Sequence, residues 1–306
     1  MRIPTELAVP AGTAGRYRGA TGVSTAFGTF GELLQGVLPE RHGDFLVTLP
    51  IARWTTATFR SRPGSGEIAV HPPHKWKARR LAAMILESAG VRDGGELTID
   101  SNLPEGKGLA SSSADLIATA RAVANALDLR IATESIERFL ARVEPTDGVL
   151  YPGIVAFDHR RVRLRARLGS LPSLTVVGVD EGGTVDTMEF NRIPKPFSAA
   201  DRREYARLLS RMAAAVAARD LAAVGEVATR SAELNQVLRP KRMLDAVLGI
   251  RREAGALGVV AAHSGTVLGV LLDPADPGYV DRITATVRAC SALAGGASLF
   301  RTLSFD

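Results

Sequence analysis

The chain has 306 residues, 46% of them hydrophobic and 23% charged, which is typical of a globular protein of about two domains. No run approaches the roughly 20 apolar residues of a membrane-spanning helix, so no membrane association is expected. The single cysteine, Cys290, excludes an internal disulfide and lies in an apolar helical stripe, which predicts a buried thiol in a cytoplasmic protein.

The formal net charge of +6 is compatible with an anionic partner. The basic residues are scattered, however, and the densest cluster covers only residues 74–80. No basic stretch carries the interleaved aromatic residues on which single-stranded nucleic acids stack. A nucleic-acid partner is therefore not expected, and a few of the cations are predicted to face a phosphorylated ligand.

A run rich in Gly, Ala and Thr predicts a flexible arm over residues 1–22. Beyond it, β-branched, aromatic and alternating patterns predict strands, and apolar residues at helical spacing predict helices. The predicted strands cover residues 24–60, 94–101, 154–157, 162–168, 174–179, 259–262, 267–272 and 297–303. The predicted helices cover residues 75–89, 114–127, 131–143 and 199–229, with further helices before residue 259 and before residue 297.

A composition change marks the middle of the chain. Pro194, Pro196 and Ser198 precede a helical region rich in Ala and Arg, which places a domain boundary within residues 170–195. Strands and helices do not alternate regularly, and this predicts an α+β fold in two lobes. The predicted domains are residues 23–180 and 181–306.

The glycine–serine loop, residues 104–114, is the segment most informative about function. Its sequence is Pro-Glu-Gly-Lys-Gly-Leu-Ala-Ser-Ser-Ser-Ala, between a predicted strand and a predicted helix. Glycines let backbone amides approach phosphate oxygens, and a helix N-terminus attracts anions. Lys107 adds a point charge. The alternative is a serine-capped helix that needs no ligand.

Two other segments carry polar residues in apolar surroundings. Residues 28–36 place Glu32 and Gln35 among leucines, where a buried carboxylate needs a partner, either a substrate or a structural network. Residues 261–272 contain a polar Ser-Gly-Thr interruption between two apolar strands, which alone predicts a hairpin turn. A third segment, residues 180–187, contains a Gly-Gly-Thr turn at a strand end, a common place for substrate contacts.

Three of these segments, in chain order residues 28–36, 104–114 and 261–272, resemble the three motifs of the GHMP kinases, the family of galactokinase, homoserine kinase and mevalonate kinase. The central motif is Pro, three variable residues, then Gly-Leu-Gly-Ser-Ser-Ala. The matching residues are Pro104, Gly108, Leu109, Ser111 and Ser112. Ala110 stands where the family has Gly, and Ser113 is additional. The resemblance implies a ribosomal protein S5 domain 2-like N-terminal lobe, a ferredoxin-like C-terminal lobe, ATP and Mg²⁺.

The resemblance also implies the site residues. The catalytic candidates are Asp147 and Lys107, with Asp147 as a base or as a turn residue near the acceptor hydroxyl. The ATP-binding candidates are Pro104, Gly106, Lys107, Gly108, Leu109, Ala110, Ser111, Ser112 and Ser113. The substrate candidates are Glu32, Gln35, Thr184, Asp186, Ser264, Gly265 and Thr266. The metal candidates are Ser112 and a carboxylate, Glu144 or alternatively Glu137.

Four stretches (residues 28–36, 107–115, 144–148 and 182–187) are similar to the L-threonine kinases of the propanediol-utilisation and cobalamin branch. This implies phosphorylation of L-threonine to O-phospho-L-threonine for cobalamin biosynthesis. The alternatives are a kinase for serine, a homoserine-like alcohol or a natural-product intermediate, and a non-catalytic ligand-binding homologue. The expected partner is a small hydroxylated amino acid, and a homodimer is left open.

Overall fold

The computed structural model describes residues 19–185 and 192–305. Within those ranges the chain forms ten β-strands and seven α-helices, which confirms the predicted α+β class. The strands are β1 (Thr21–Val37), β2 (Asp44–Arg62), β3 (Ile68–His71), β4 (Gly94–Ser101), β5 (Ile154–Asp158), β6 (Arg163–Gly169), β7 (Thr175–Asp180), β8 (Gly258–Ala261), β9 (Val267–Leu272) and β10 (Ser298–Arg301). The helices are α1 (Trp76–Ser88), α2 (Ser111–Ala126), α3 (Thr133–Ala141), α4 (Ala199–Ala218), α5 (Leu221–Leu234), α6 (Leu244–Glu253) and α7 (Tyr279–Ala294).

The ten described strands form one sheet in the order β10-β7-β9-β8-β1-β2-β4-β3, with β5 paired to β2 and β6 paired to β5. Neighbouring strands are antiparallel except β3 and β4, which are parallel. The two longest strands, β1 and β2, pair from Thr21 opposite Arg60 to Val37 opposite Asp44. Irregularities in their register around residues 28–34 bend β1 at the point where the functional segments meet.

Helix α2 lies at the centre of the larger core. Its many alanines let it lie close against β1 and β2, and α1 packs against it as well. Leu116, Ile117 and Val123 of this helix are almost completely buried, and each contributes about 1.5–3 kcal/mol to folding. The packing therefore fixes the position of the α2 N-terminus, to which the glycine–serine loop leads.

A second core lies under the C-terminal strands. It includes Val177 of β7, Val259 of β8 and Val270 of β9, packed against apolar residues of α6 and α7. Cys290 is fully buried in this cluster, as predicted, and burial raises its pKa to about 11. It is a packing residue rather than a nucleophile.

The predicted domain limits stay predictions. Residues 1–18 of the predicted arm lie outside the described residues. Strand β1 begins inside the predicted arm, because Thr21 pairs with Arg60. Strand β7 ends the predicted first domain, yet it pairs with β9 and β10 of the second. Among the described helices, none combines the length and apolar character needed to cross a membrane.

Candidate active site

The glycine–serine loop ends in a helix N-terminus that is open to an anion. Gly106 and Gly108 adopt positive φ angles of 69° and 86°, which turn the loop before α2 begins at Ser111. The residue before the helix, Ala110, offers no side-chain cap, so the first-turn amides of residues 111–113 are not used by a cap. Such amides, together with the positive end of the helix dipole, attract phosphate oxygens.

The bend in β1 supports the loop from behind. The backbone N–H of Gly31 donates to the carbonyl of Gly108 at 3.2 Å, and that of Thr29 donates to the carbonyl of Leu109 at 3.2 Å. The Thr29 hydroxyl in turn donates to the Leu49 carbonyl of β2 at 3.0 Å. The first and second motif segments are thereby joined through their backbones.

The turn at residues 262–266, between β8 and β9, packs against the other side of the loop. The backbone N–H of Thr266 donates to the carbonyl of Lys107 at 3.1 Å. A Cβ at Gly108 would lie 2.4 Å from the Ala262 Cβ, so only glycine permits this approach. The structure thus brings together all three segments that the motifs single out.

A cleft of about 290 Å³ opens over the loop and the start of α2. Residues from α1, the loop, the segment after α3 and the 262–266 turn share its lining. Its polar and charged side chains are His74, Lys75, Trp76, Lys77, Glu105, Ser111, Ser112, Ser113, Asp115, Glu144, Asp147 and Ser264. Of the predicted ATP-binding residues, Gly106, Gly108, Leu109 and Ala110 also line it. Pro104 and Lys107 do not belong to this lining.

Glu144 connects the start of α2 with α1. One of its carboxylate oxygens accepts a hydrogen bond from the Ser112 hydroxyl. The other lies 2.5 Å from the Lys77 ammonium. The carboxylate is buried, with a side-chain exposure of 4%, so these partners offset its loss of hydration. The metal candidates Ser112 and Glu144 are therefore adjacent, whereas Glu137 accepts from the Tyr151 hydroxyl at 2.7 Å and does not line the cleft.

Asp147 lies beside Ser113. The Ser113 hydroxyl oxygen accepts from the Asp147 backbone N–H at 3.0 Å and lies 3.4 Å from the Asp147 carboxylate. Burial raises the pKa of Asp147 to about 6, the negative charge of Glu144 adds to the rise, and the Ser113 hydrogen bond opposes it. A carboxyl group with this pKa can both release and accept a proton near neutral pH.

Lys107 does not line the cleft and has partners outside its lining. Its ammonium lies 2.6 Å from an Asp180 carboxylate oxygen and 2.6 Å from the Gly183 carbonyl. The Thr266 hydroxyl donates to the other Asp180 oxygen at 2.5 Å. Burial acts to raise the pKa of Asp180, but the hydrogen bonds from Lys107 and Thr266 lower it overall. The loop is thus tied to the end of β7 and to the 262–266 turn.

Glu32 and Gln35 are buried in β1 behind the cleft. Burial raises the pKa of Glu32 well above its usual value, and the charge of Asp147 raises it further, so this carboxyl group is near Asp147. The Gln35 side-chain amide donates to the Ala261 carbonyl at 3.1 Å, and its oxygen lies 2.8 Å from Nδ1 of His263. Gln35 therefore has structural partners, as the alternative interpretation of this segment expects.

The remaining substrate candidates are spread over the rim. Ser264 lines the cleft, whereas Gly265 and Thr266 hold the turn against the loop. Thr184 is exposed, and its side chain lies next to Gly106 of the glycine–serine loop. Asp186 lies outside the described residues.

Several charged cleft residues are not among the predicted site residues. Lys75 lies 2.5 Å from Asp115 and 2.7 Å from Glu105, and Asp115 also accepts from the Thr55 hydroxyl at 2.9 Å. Two signals in the sequence mark these residues. One is the basic cluster at residues 74–80, and the other is an aspartate, Asp115, inside an otherwise apolar helix.

Ala110 occupies a backbone conformation that disfavours alanine. Its φ of 57° and ψ of 31° are left-handed, at a cost of about 1–2 kcal/mol for a residue with a Cβ. We expect Ala110→Gly to raise the free energy of unfolding by about 0.5–1 kcal/mol, since glycine adopts this conformation freely but gains unfolded-state entropy. Urea denaturation measures the change. The matched control is Ala124→Gly within α2, which should lower the free energy of unfolding by about 1 kcal/mol. Equal losses of stability in the two variants would show that the backbone at Ala110 is not strained.

Comparison with known proteins assigns the family. The family model for the N-terminal domain of GHMP kinases matches residues 77–151, and the model for the GHMP kinase C-terminal domain matches residues 212–291. Together they account for about half of the chain, and the first contains the glycine–serine loop, Glu144 and Asp147. The chain belongs to the GHMP kinase family.

Two curated relatives and one solved structure give the level of similarity. The chain is 29% identical to an L-threonine kinase of Citrobacter freundii, over 79% of this chain and 83% of the relative. It is 28% identical to an L-threonine kinase of Salmonella typhimurium, over 79% and 80%. The structure of homoserine kinase from Cytophaga hutchinsonii superimposes with a TM-score of 0.70 at 17% identity, covering 92% of this chain and 95% of that one. This likeness confirms the GHMP kinase fold.

Proposed function

We propose that the protein transfers the γ-phosphoryl group of ATP to the side-chain hydroxyl of L-threonine, giving O-phospho-L-threonine and ADP. The observation that carries the proposal is the arrangement of the cleft, where the open amides of residues 111–113 lie beside Glu144 and Asp147. The two L-threonine kinase relatives favour L-threonine as the acceptor. Phosphoryl transfer depends mainly on positioning and charge stabilisation, and this cleft supplies groups for both.

The residues beside Ser112 fit a magnesium ion. The described residues contain no group of three or more His, Cys, Asp or Glu side chains that could hold a metal. Mg²⁺ in kinase sites takes one or two protein oxygens, with phosphates and water completing its shell, so a hydroxyl and one carboxylate suffice. Ser112 and Glu144 would hold the ion. When bound, Mg²⁺ supplies positive charge against the phosphate chain.

Asp147 is the group proposed to receive the proton of the acceptor hydroxyl. In the reaction the bond between the γ-phosphorus and the oxygen that leaves with ADP breaks, and a bond from the threonine hydroxyl oxygen forms. The hydroxyl proton passes to the Asp147 carboxylate. With a pKa of about 6, this carboxylate is mostly ionised at pH 7 and accepts the proton more readily than an exposed aspartate.

The acceptor is tested by measuring ADP release from Mg-ATP with a panel of L-threonine, L-serine, L-homoserine, sugars and isoprenoid acids. We expect the highest kcat/KM for L-threonine. Turnover of serine or homoserine but not threonine would show that the protein is a kinase with a different acceptor from the one proposed. ADP release no faster than without acceptor, despite ATP binding, would favour a non-catalytic homologue. The cytoplasmic setting and the link to cobalamin biosynthesis stay predictions.

A further inference from the structure

The two lysines that line the cleft differ in how far carboxylates neutralise them. Lys75 lies between two carboxylates, with Asp115 at 2.5 Å and Glu105 at 2.7 Å. Lys77 contacts one carboxylate, Glu144, at 2.5 Å. Lys77 therefore carries the less neutralised positive charge of the two.

Lys77 also lies close to the open helix N-terminus. The carboxylate that it contacts accepts from the Ser112 hydroxyl, and Ser112 is in the first turn of α2. The Lys77 ammonium and the Ser112 hydroxyl thus share one carboxylate group, that of Glu144. The side chain is 26% exposed, so its ammonium can reach a ligand in the cleft without unfolding α1.

Lys107, which the motif resemblance assigns to the phosphates, is engaged elsewhere. Its ammonium contacts Asp180 and the Gly183 carbonyl, each at 2.6 Å, and it does not belong to the cleft lining. Moving it to the cleft would break a charge-assisted hydrogen bond, whereas Lys77 is already there.

The charge balance of the cleft requires such a cation. Among the residues that the structure describes, four carboxyl groups line it, and they outnumber the two lysines. The carboxyl groups are those of Glu105, Asp115, Glu144 and Asp147. A strongly anionic triphosphate chain can enter only where cations offset this repulsion. Bound Mg²⁺ supplies part of that charge, and the ammonium least neutralised by carboxylates supplies the rest.

We propose that Lys77 is the side chain that contacts the phosphate chain of ATP and stabilises the charge that develops on it during transfer. The inference rests on the proposed function in one respect, namely that the cleft binds ATP. It assigns to Lys107 the separate task of tying the glycine–serine loop to β7.

The test uses variants of the full-length protein and two measurements. Lys77→Met removes the ammonium and keeps the length of the side chain, Lys77→Arg keeps the charge, and Lys107→Met removes the other lysine. Arg80→Met is the matched control, since it removes a charge from an exposed position of the same helix. ATP binding is followed by fluorescence of Trp76, which lines the cleft, in a Trp54→Phe background that removes the other tryptophan.

We expect Lys77→Met to lower kcat about 100-fold and to weaken ATP binding, in EDTA without Mg²⁺, roughly tenfold. Lys77→Arg should recover most of the binding, Lys107→Met should lower kcat less than Lys77→Met, and Arg80→Met should match the parent. Unchanged ATP binding and kcat in Lys77→Met would overturn the inference. A parent protein that binds no ATP would instead overturn the proposed function, and the two failures are therefore distinguishable.

Discussion

Replacing Asp147 with Asn is expected to lower kcat by about 10²–10⁴-fold, because the amide cannot accept the proton of the acceptor hydroxyl. Asn keeps the size of the side chain and can still accept the Ser113 hydrogen bond, so the cleft should retain its shape. KM for ATP should change little, since the proposed nucleotide contacts lie in the loop and at the start of α2. Steady-state ADP release at saturating Mg-ATP and L-threonine measures both quantities.

The pH dependence gives a second signature of the same residue. Burial and the neighbouring Glu144 raise the pKa of Asp147 to about 6. Below that pH the carboxyl group is protonated and cannot act as a base, so the parent kcat should fall about tenfold per pH unit. Asp147→Asn should lose this acidic limb. A variant that keeps the parent kcat and its acidic limb would remove the base role from Asp147.

The stability of the Asp147→Asn protein should change in the opposite direction from its activity. Because the folded pKa of Asp147 lies above the ordinary value of 3.8, ionisation is less favourable in the folded state than in the unfolded state. The contribution of this group to folding is therefore most favourable below about pH 4 and is lost as the pH rises through about 6.

At pH 8 the Asp147→Asn variant should accordingly be more stable than the parent, by on the order of 2 kcal/mol. Denaturation at pH 4 and pH 8 tests the sign, since the gain should shrink at the lower pH. Asp220→Asn is a suitable control, because Asp220 caps α5 by accepting from the Ala223 amide and Asn caps a helix equally well. A stabilised protein that has lost its activity is the expected signature of a carboxylate kept for function.

Local sequence pattern was sufficient for much of the fold. Strands β1 and β2 are predicted by their long runs of β-branched and apolar residues, and helix α2 is predicted by its alanine-rich pattern. The glycine–serine loop can likewise be predicted from the sequence, since its glycines and serines determine the backbone conformation of their own segment. Helix α2 nevertheless begins at Ser111 rather than at the predicted residue 114, because the three serines form its first turn instead of preceding it.

The hydrogen-bond and ion-pair partners of the site residues could not be predicted from the local sequence, because packing between distant segments determines them. Glu144 meets Lys77 only because α1 packs against α2 and α3, and no local signal pairs residues 67 positions apart. The role of Lys107 illustrates the same limit. Its position in the motif predicts a phosphate contact, while its ammonium is held by Asp180, 73 positions later, at the end of β7.

Gly265 provides the most demanding test of how the site is assembled. A Cβ at this position would lie 1.9 Å from the Lys107 carbonyl oxygen and 2.2 Å from the Gly108 amide nitrogen. Both are backbone atoms, so no side chain can rotate to relieve the clash. The buried Lys241 ammonium donates to the Gly265 carbonyl, and Thr266 is bonded to Lys107, so the turn is held in place from two directions.

We expect Gly265→Ala to lower the free energy of unfolding by about 3 kcal/mol and to weaken ATP binding at least tenfold. Either the 262–266 turn moves away from the glycine–serine loop or the loop itself is displaced. In both cases the amides of Gly108 and of the first turn of α2 lose their arrangement. Urea denaturation and Trp76 fluorescence measure the two effects.

The matched control is Gly296→Ala, because an added Cβ there has no neighbour within 4 Å and its φ is not positive. That variant should keep the parent stability and ATP affinity. A Gly265→Ala protein with parental ATP affinity would mean that the loop keeps its shape without the turn. The turn would then be a packing element of the C-terminal strands and not one wall of the nucleotide site. If Gly265→Ala weakens ATP binding and also lowers stability, the same backbone contact between the turn and the loop supports both properties.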